Sequence, residues 1–383
     1  MKRGLRSIAG LLLAVACLAG CAARPTPEAL LPVANVPDTT SKVKIIVATT
    51  RAPLSGQLNR AEANVFTANR SEELNHAAVT VSIPRQHAAG KIEWADQLPP
   101  NPSRHFAVAQ RTPLQRHAFL EEVRASARAN GGSVLVFIHG YNTLYEESVF
   151  RFAQIVHDSG YKGAAVLFAW PSRGKPTLYL ADREAANYSR DYLEGALLLM
   201  AGLPEVKEIN ILAHSMGTWI AVEALRQAKM KGHGNFRGKL AEVLLASPDI
   251  DATVFRTQLD VIGPLRQPMT VFVSGDDKAL SWSRTLAGNV PRVGTLSLND
   301  PRVADGAKKY HINVVDMTAI KDGSGLHHSK FAQSNVVVAT IGKALAHGPQ
   351  ADEEKQPGVV KAVVDVGESI MKVPQTIMSP AAN

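Results

Sequence analysis

The stretch Glu208–Ile220, EINILAHSMGTWI, constrains this chain more than any other. Ile209, Ile211 and Leu212 form a short apolar run that ends in Ala213-His214-Ser215-Met216-Gly217. A helical spacing (Ile220, Ala221, Ala224, Leu225) then begins at once. A strand that turns directly into a helix holds the residue at its apex, here Ser215, at positive φ and lifts its hydroxyl clear of the sheet. The residues two before and two after must be small. Gly217 meets that demand, and Ala213 meets it with one methyl more than the glycine usual there. The helix N-terminus behind Ser215 aims backbone N–H groups at the place where a substrate oxygen would gain negative charge. The pentapeptide alone also fits an ordinary helix capped by a serine, so the decision lies elsewhere in the chain.

With 383 residues, 45% of them hydrophobic and 20% charged, the chain can bury the core of one large α/β domain with added segments. Residues 1–20 are not expected to join that core. Lys2, Arg3 and Arg6 precede the apolar stretch Ile8–Leu18, and Leu18-Ala19-Gly20 leads into Cys21. The apolar stretch is too short for a membrane span, which takes about 20 residues. It resembles the lipobox of bacterial lipoproteins. That resemblance implies cleavage before Cys21, lipid on Cys21 and, because Ala22 rather than an aspartate follows, an outer-membrane address facing the periplasm. A plain secretory signal would carry an Ala-x-Ala site instead.

Cys17 and Cys21 are the only cysteines, so the mature domain has no thiol for a disulfide, a metal site or a nucleophile. Cleavage removes three cations and no acid, which lowers the net charge from +8 to +5. A mildly basic body suits an anionic envelope. No dense Lys/Arg run interleaved with aromatics occurs, which argues against a nucleic-acid partner.

Residues 21–42, with Pro25, Pro27, Pro32 and Pro37, read as a flexible tether from lipid to domain. Val43–Ala48 and the alternating Ala78–Ile83, stopped by Pro84, read as strands. Loop signals dominate as far as Pro102, and a helix is expected at Pro113–Ala129. A βα rhythm follows. Strands are expected at Ser133–Ile138, Ala165–Ala169, the run before Ser215, Leu240–Ala246, Met269–Ser274 and His311–Val315. Helices are expected at Tyr145–His157, Asp182–Met200, from Ser215 to Met230, and at Ser329–Ala346. Near-continuous apolar strands separated by helices predict a mostly parallel central sheet covered on both faces, with the functional loops at the strand C-termini. The domain is expected over 43–347. The polar segment 348–383 reads as a disordered tail holding a short amphipathic helix at Val359–Val373.

A serine is a poor nucleophile until a base takes its proton, and the base needs an acid to fix its tautomer. In such a sheet both must come from loops after later strands. The loop after Met269–Ser274 offers Asp276 and Asp277. The glycine-rich loop after His311–Val315, Asp322-Gly323-Ser324-Gly325-Leu326, offers His327 and His328. Asp249 and Asp251, after Leu240–Ala246, are further candidates for the acid, although Asp251 is also placed to cap a helix.

The order Ser, Asp, His and the motifs around it resemble the α/β-hydrolase fold, and more narrowly a bacterial domain-of-unknown-function family of esterase/lipase-like hydrolases. The residues that carry the resemblance are ATTRAP (Ala48–Pro53), VTVSIP (Val79–Pro84), FIHGYN (Phe137–Asn142), FAWPSRG (Phe168–Gly174), AHSMG (Ala213–Gly217), ASPDID (Ala246–Asp251), DDKAL (Asp276–Leu280) and HHSKF (His327–Phe331). In that family the acid precedes a basic residue and Ala-Leu, which matches Asp277, and the base precedes Ser-x-Phe, which matches His328. The resemblance implies Ser215 as nucleophile, His328 as base, Asp277 as its partner and Asp251 as reserve acid. The backbone N–H of Met216, with that of Tyr141 or Asn142, would form the oxyanion hole.

Bland roles compete at several positions. His139 fits a loop-shaping residue, Asp276 a turn residue, His214 and His327 packing or hydrogen-bonding residues, and Trp170 a wall of pocket or core. Tyr179 and Tyr188 fit either a lid or a plain helix start. His311, His327 and His328 lack metal-ligand spacing, so neither metal nor cofactor is expected. Two functions of different kind follow: a lipid-anchored serine hydrolase of small acyl esters, or an envelope lipoprotein that uses the fold as a binding scaffold. Acyl transfer to an acceptor other than water is a variant of the first.

Overall fold

The computed structural model of the protein describes residues 24–54, 65–320, 325–346 and 359–361. Ten strands form one sheet: β1 Ser41–Pro53, β2 Phe66–Ile83, β3 Ala107–Leu114, β4 Ser133–Ile138, β5 Ala164–Ala169, β6 Glu208–His214, β7 Leu240–Ala246, β8 Met269–Val273, β9 Ile312–Asp316 and β10 Val359–Lys361. Their order across the sheet is β10-β9-β8-β7-β6-β4-β5-β1-β2-β3. β2 pairs antiparallel with β1 and β3, and every other neighbouring pair is parallel. The helices are α1 Arg116–Ala129, α2 Tyr145–Ser159, α3 Tyr179–Ala201, α4 Met216–Met230, α5 Ala252–Ile262, α6 Lys278–Leu286, α7 Pro301–Tyr310, α8 Lys330–Gln333 and α9 Asn335–Ala346.

The expected mostly parallel sheet with helices on both faces forms, and the sequence shows why. Alternate residues of the apolar strands feed two separate cores. Val134, Val136 and Ile138 of β4 pack on one face with Ile209, Ile211 and Ala213 of β6. Leu135 and Phe137 of β4 pack on the other with Leu212, Leu244 and Phe272. A strand buried on both sides has no polar register, which is why these runs read as continuous hydrophobics.

Connectivity then places the functional rim. From β4 the chain steps one way to β5, then crosses back so that β6 lies on the other side of β4. The loops after β4 and β6 therefore open side by side, with Ile138 opposite Ala213 in register. A crevice at such a reversal is the usual ligand site of an open α/β sheet.

Several expectations are corrected. β3 occupies a segment without strand signals, because Gln110, Arg111, Thr112 and Pro113 interrupt its apolar run on an edge strand. Residues from Arg24 onward are not a loose tether. Leu30 is fully buried, Val33 N–H donates to Val108 O at 2.9 Å, and Pro32 bridges Val108, since β3 offers an open edge and an apolar face. The final helix breaks at Ser334 into α8 and α9. Val359–Lys361, expected to begin a helix in the tail, instead extends the sheet along β9. The rest of that tail, together with the leader and Cys21, lies outside the described residues.

One buried ionic node ties the loop between β2 and β3 to the end of α2. His87 Nδ1 lies 2.7 Å from Glu93 Oε2, and its Nε2 lies 2.8 Å from Asp158 Oδ1. Burial disfavours the His87 charge, but the bonds to Asp158 and Glu93 outweigh it and raise its pKa. Asp158 is likewise opposed by burial, yet bonds from His157, His87, Gly90 N–H and Gln154 hold it well below the usual carboxylate range. A raised histidine pKa stabilises the fold fully below its free value of 6.5, and that contribution is lost as pH rises through the folded value. His87→Gln is therefore expected to destabilise the protein most below pH 6.5, with the gap to wild type closing as pH rises. Urea unfolding at a series of pH values reads this directly.

Candidate active site

Ser215 sits between β6 and α4 at φ 53°, ψ −125°, the left-handed region that a serine enters only under constraint. Close packing explains both neighbours. A Cβ on Gly217 would lie 2.4 Å from His139 O and 2.6 Å from Ile138 O, so the end of β4 passes where a side chain would be. A Cβ on Gly140 would lie 2.7 Å from His214 Nδ1 and 2.9 Å from Ser215 Cβ. Two glycines, one on each loop, thus let the β4 and β6 ends meet. Ser215 N–H donates to Ala246 O at 2.9 Å, and Thr218 N–H donates to Ser215 O at 3.0 Å, which fixes the turn from both sides.

Asp277 and His328 are brought together. Asp277 is fully buried, its Oδ2 lies 2.7 Å from His328 Nδ1, and its Oδ1 accepts from Leu280 N–H at 2.9 Å as the cap of α6. His328 in turn meets the residue before Ser215. Its ring is 4.7 Å from that of His214, and His214 Nε2–H donates to His328 O at 3.1 Å. Ser215, His328 and Asp277 therefore share one rim of the sheet. No hydrogen bond joins Ser215 Oγ to His328 among the described residues.

The rival carboxylates are committed elsewhere. Asp276 pairs with the fully buried Lys330, whose Nζ reaches its oxygens at 2.7 and 2.9 Å and also donates to Met317 O. Burial opposes the Asp276 charge, but the bonds from Lys330 and Ser274 prevail and lower its pKa. Asp251 accepts from Thr253 and Val254 N–H as the cap of α5. Asp249 accepts from Tyr179 OH and Ser283 Oγ and faces Arg292 at 3.3 Å. None of the three touches His328.

The histidines sort in the same way. His139 is buried flat against Trp170, with ring centroids 5.1 Å apart. Burial, then the charge of Arg51, push its pKa down to about 3. A neutral ring donates to only one of the two carbonyls it faces, Gly140 O and Trp170 O. His214 stacks on Phe331 at 4.3 Å, and burial, followed by its electrostatic interaction with the adjacent imidazole, lowers its pKa well below the ordinary histidine value. His327 is at φ 55°, a corner of the loop that presents His328.

For the oxyanion hole, Met216 is the first residue of α4 behind Ser215. Asn142 N–H faces Asp182 Oδ2 at 3.4 Å, so it is turned toward that carboxylate. Asp182 is the node the sequence did not reveal. Fully buried, it accepts from Ser172 Oγ and Arg173 N–H, while Ser172 Oγ accepts from Thr143 N–H. Burial raises its pKa against those bonds and the Arg51 charge. Arg51, also buried, donates to Thr67 O and Thr143 O. The Asp182 side chain thus joins the loops after β4 and β5, and Arg51 ties the first of them to β2. Tyr179 belongs to this wall, and Tyr188 donates away from it to Ser71 O. A cavity of about 250 Å³ opens beside Gly140 and His214, walled by Ile92, Trp94 and Phe331.

Among the described residues, one group has metal-like spacing. Candidate ligand atoms of His87, His157 and Asp158 lie within 4.8 Å of one another. Asp158 Oδ1 already bonds both imidazoles, and His87 also holds Glu93, which makes this an ionic node of the fold.

Residues 115–344 match the family described as "Alpha/beta hydrolase of unknown function (DUF900)". The chain belongs to this α/β-hydrolase family. No curated protein matches it. Among solved structures it is similar to lipase B of Aspergillus fumigatus (15% identity, 42% of each chain covered, TM-score 0.28). It is similar also to an esterase of Rhizomucor miehei (10%, 84% of this chain and 86% of that one, TM-score 0.34). A third likeness is to an esterase of Pyrococcus furiosus (9%, 85% and 96%, TM-score 0.34). This α/β hydrolase spans less than half of the fungal lipase it matches.

The two adjacent aspartates of this hydrolase should separate cleanly on substitution. Asparagine caps a helix as well as aspartate does, so Asp277→Asn should leave the melting temperature nearly unchanged. Where this pair serves hydrolysis, the variant loses imidazole orientation and turnover falls by about 10³–10⁴-fold. Asp276→Asn leaves a buried ammonium without a counter-charge and should lower the melting temperature by several degrees. Calorimetry and initial rates on the two variants check both.

Proposed function

We propose that this α/β hydrolase is a serine hydrolase of carboxylic acyl esters, held by lipid on Cys21 at the periplasmic face of the outer membrane. The observation that carries the reading is the 2.7 Å bond between buried Asp277 and His328 Nδ1, on the rim where Ser215 stands at positive φ. A carboxylate on Nδ1 fixes the tautomer that leaves Nε2 as acceptor, which is the form a base needs.

Ser215 Oγ attacks the acyl carbonyl carbon as His328 Nε2 takes its proton, and Asp277 stabilises the imidazolium. The tetrahedral oxyanion receives the N–H of Met216 and that of Tyr141, since Asn142 N–H is turned to Asp182. His328 returns the proton to the departing alcohol. Water, deprotonated by the same ring, then releases the acid and frees Ser215. The step requires Oγ and Nε2 at about 2.6–3.2 Å, a bond that commonly tightens only when substrate is present. The strained elbow and the loops locked by Asp182 supply preorganised donors, each worth about 10²–10³ in kcat.

A fluorophosphonate probe tests the nucleophile. The detergent-purified full chain should label stoichiometrically and Ser215→Ala should not label at all; an unlabelled wild type would sink the assignment. The address is tested separately. Cys21→Ser should move the protein from the membrane to the soluble fraction, and unchanged partitioning would rule out the anchor.

A further inference from the structure

Arg24 is the first described residue, and its guanidinium is fully engaged at the active-site rim. Nε and Nη2 form a two-pronged pair with Glu147, Nη1 donates to Asn142 Oδ1 at 3.0 Å and to Gly174 O at 2.6 Å, and Nη2 donates to Asn142 O at 2.8 Å. All five N–H groups of the fork have partners. Those partners lie on the loop after β4, on the start of α2 and on the loop after β5. Leu30, six residues on, is fully buried, so the segment is fixed at both ends. Cys21 stands three residues before Arg24, and three extended residues reach only about 10 Å.

The same rim carries apolar side chains with no visible structural duty. Leu180 is 72% exposed, Leu326 59%, and Trp282 46%, with Leu178 beside them. Two bonds tie the elements that carry them together. Tyr179, between Leu178 and Leu180, bonds Ser283 Oγ at 3.0 Å next to Trp282, and Lys278 N–H donates to Leu326 O at 3.0 Å. Arg173, Lys175, Lys278 and Arg284 are exposed on the same elements, and neither residues 173–180 nor α6 contains a carboxylate. Leucine and tryptophan interleaved with cations is the chemistry of an anionic bilayer surface.

We infer that this rim lies on the bilayer that holds the chain's own acyl anchor, and that the substrate is an acyl ester resident in that bilayer. The inference rests on the reading of Cys21 as lipidated and of Ser215 as nucleophile. Three residues of chain bring the anchor to within about 10 Å of the Arg24 backbone, and the Arg24 guanidinium sits on the loop after β4, so the crevice faces the leaflet. An ester carbonyl at headgroup depth then reaches Ser215 without leaving the membrane. α4 starts just after Ser215 and is about 22 Å long, so Met230, exposed at its far end, stands well away from the rim.

The acylated full chain, reconstituted in vesicles of phosphatidylethanolamine and phosphatidylglycerol, tests this. Environment-sensitive dyes are placed singly at Leu180→Cys and Met230→Cys. Bromine-substituted acyl chains should quench the dye at position 180 and leave the one at 230 untouched. In parallel, Leu180→Glu with Trp282→Glu should lower hydrolysis of a long-chain fluorogenic ester dissolved in the vesicles about tenfold. Turnover of a short water-soluble ester should stay unchanged. A dye at 180 that remains in water while mass spectrometry finds Cys21 acylated overturns the orientation. Quenching at both positions, or equal loss on both esters, overturns it too. In each of these cases, fluorophosphonate labelling and soluble-ester turnover by the wild type keep the hydrolase reading intact. An unacylated Cys21 removes the anchor and the inference together.

Discussion

The close approach of Gly217 to the carbonyls of Ile138 and His139 is the constraint on which the rest of the site depends. With any side chain at 217, β6 and α4 would be pushed away from β4, and the turn that holds Ser215 at positive φ would open. The contact is possible because β4 and β6 are neighbours at the point where strand order reverses. One glycine contact therefore connects topology to the site: it sets the Ser215 hydroxyl beside the loop after β4.

Around that contact the loops are held by buried charge rather than by apolar packing. Asp182 gathers donors from the ends of β4 and β5, Arg51 braces the same loop from β1, and Lys330 grips Asp276 behind the histidine loop. Burying such groups is costly unless every partner is in place. Their value lies in specificity of position, because a loop secured by a directional network has one conformation where an apolar contact allows several. Asp277 and Asp276 show the division of labour: adjacent in sequence, one orients an imidazole and the other neutralises a lysine.

The parallel strands were legible because burial on both faces leaves runs such as SVLVFI and LAEVLLA with no other use, and β4 and β7 fall at the expected bounds. The Ser, Asp, His order was legible as strand-end residues. What sequence could not show were partners brought together by the fold. Lys330 stands two residues after His328 in HHSKF, yet only the fold reveals that it is buried and paired. Asp182 looked like no more than the start of a helix, and Arg24 like part of a proline-rich tether. β3 was hidden because an edge strand tolerates the polar residues that ordinarily signal a loop. A lysine two residues after an expected catalytic histidine was the one signal that could have been used, by asking which carboxylate it would meet.

The Arg24 clamp also fixes an order of assembly. Its partners come 118 to 150 residues later in the chain, and His214 meets His328 across 114. Contacts of such long range close late, after local helices and hairpins have formed. The head of a chain emerging N-terminus first must therefore wait, unattached, until the segment around Gly174 has emerged and folded. The loop after β4 gains its final brace from a segment synthesised long before it.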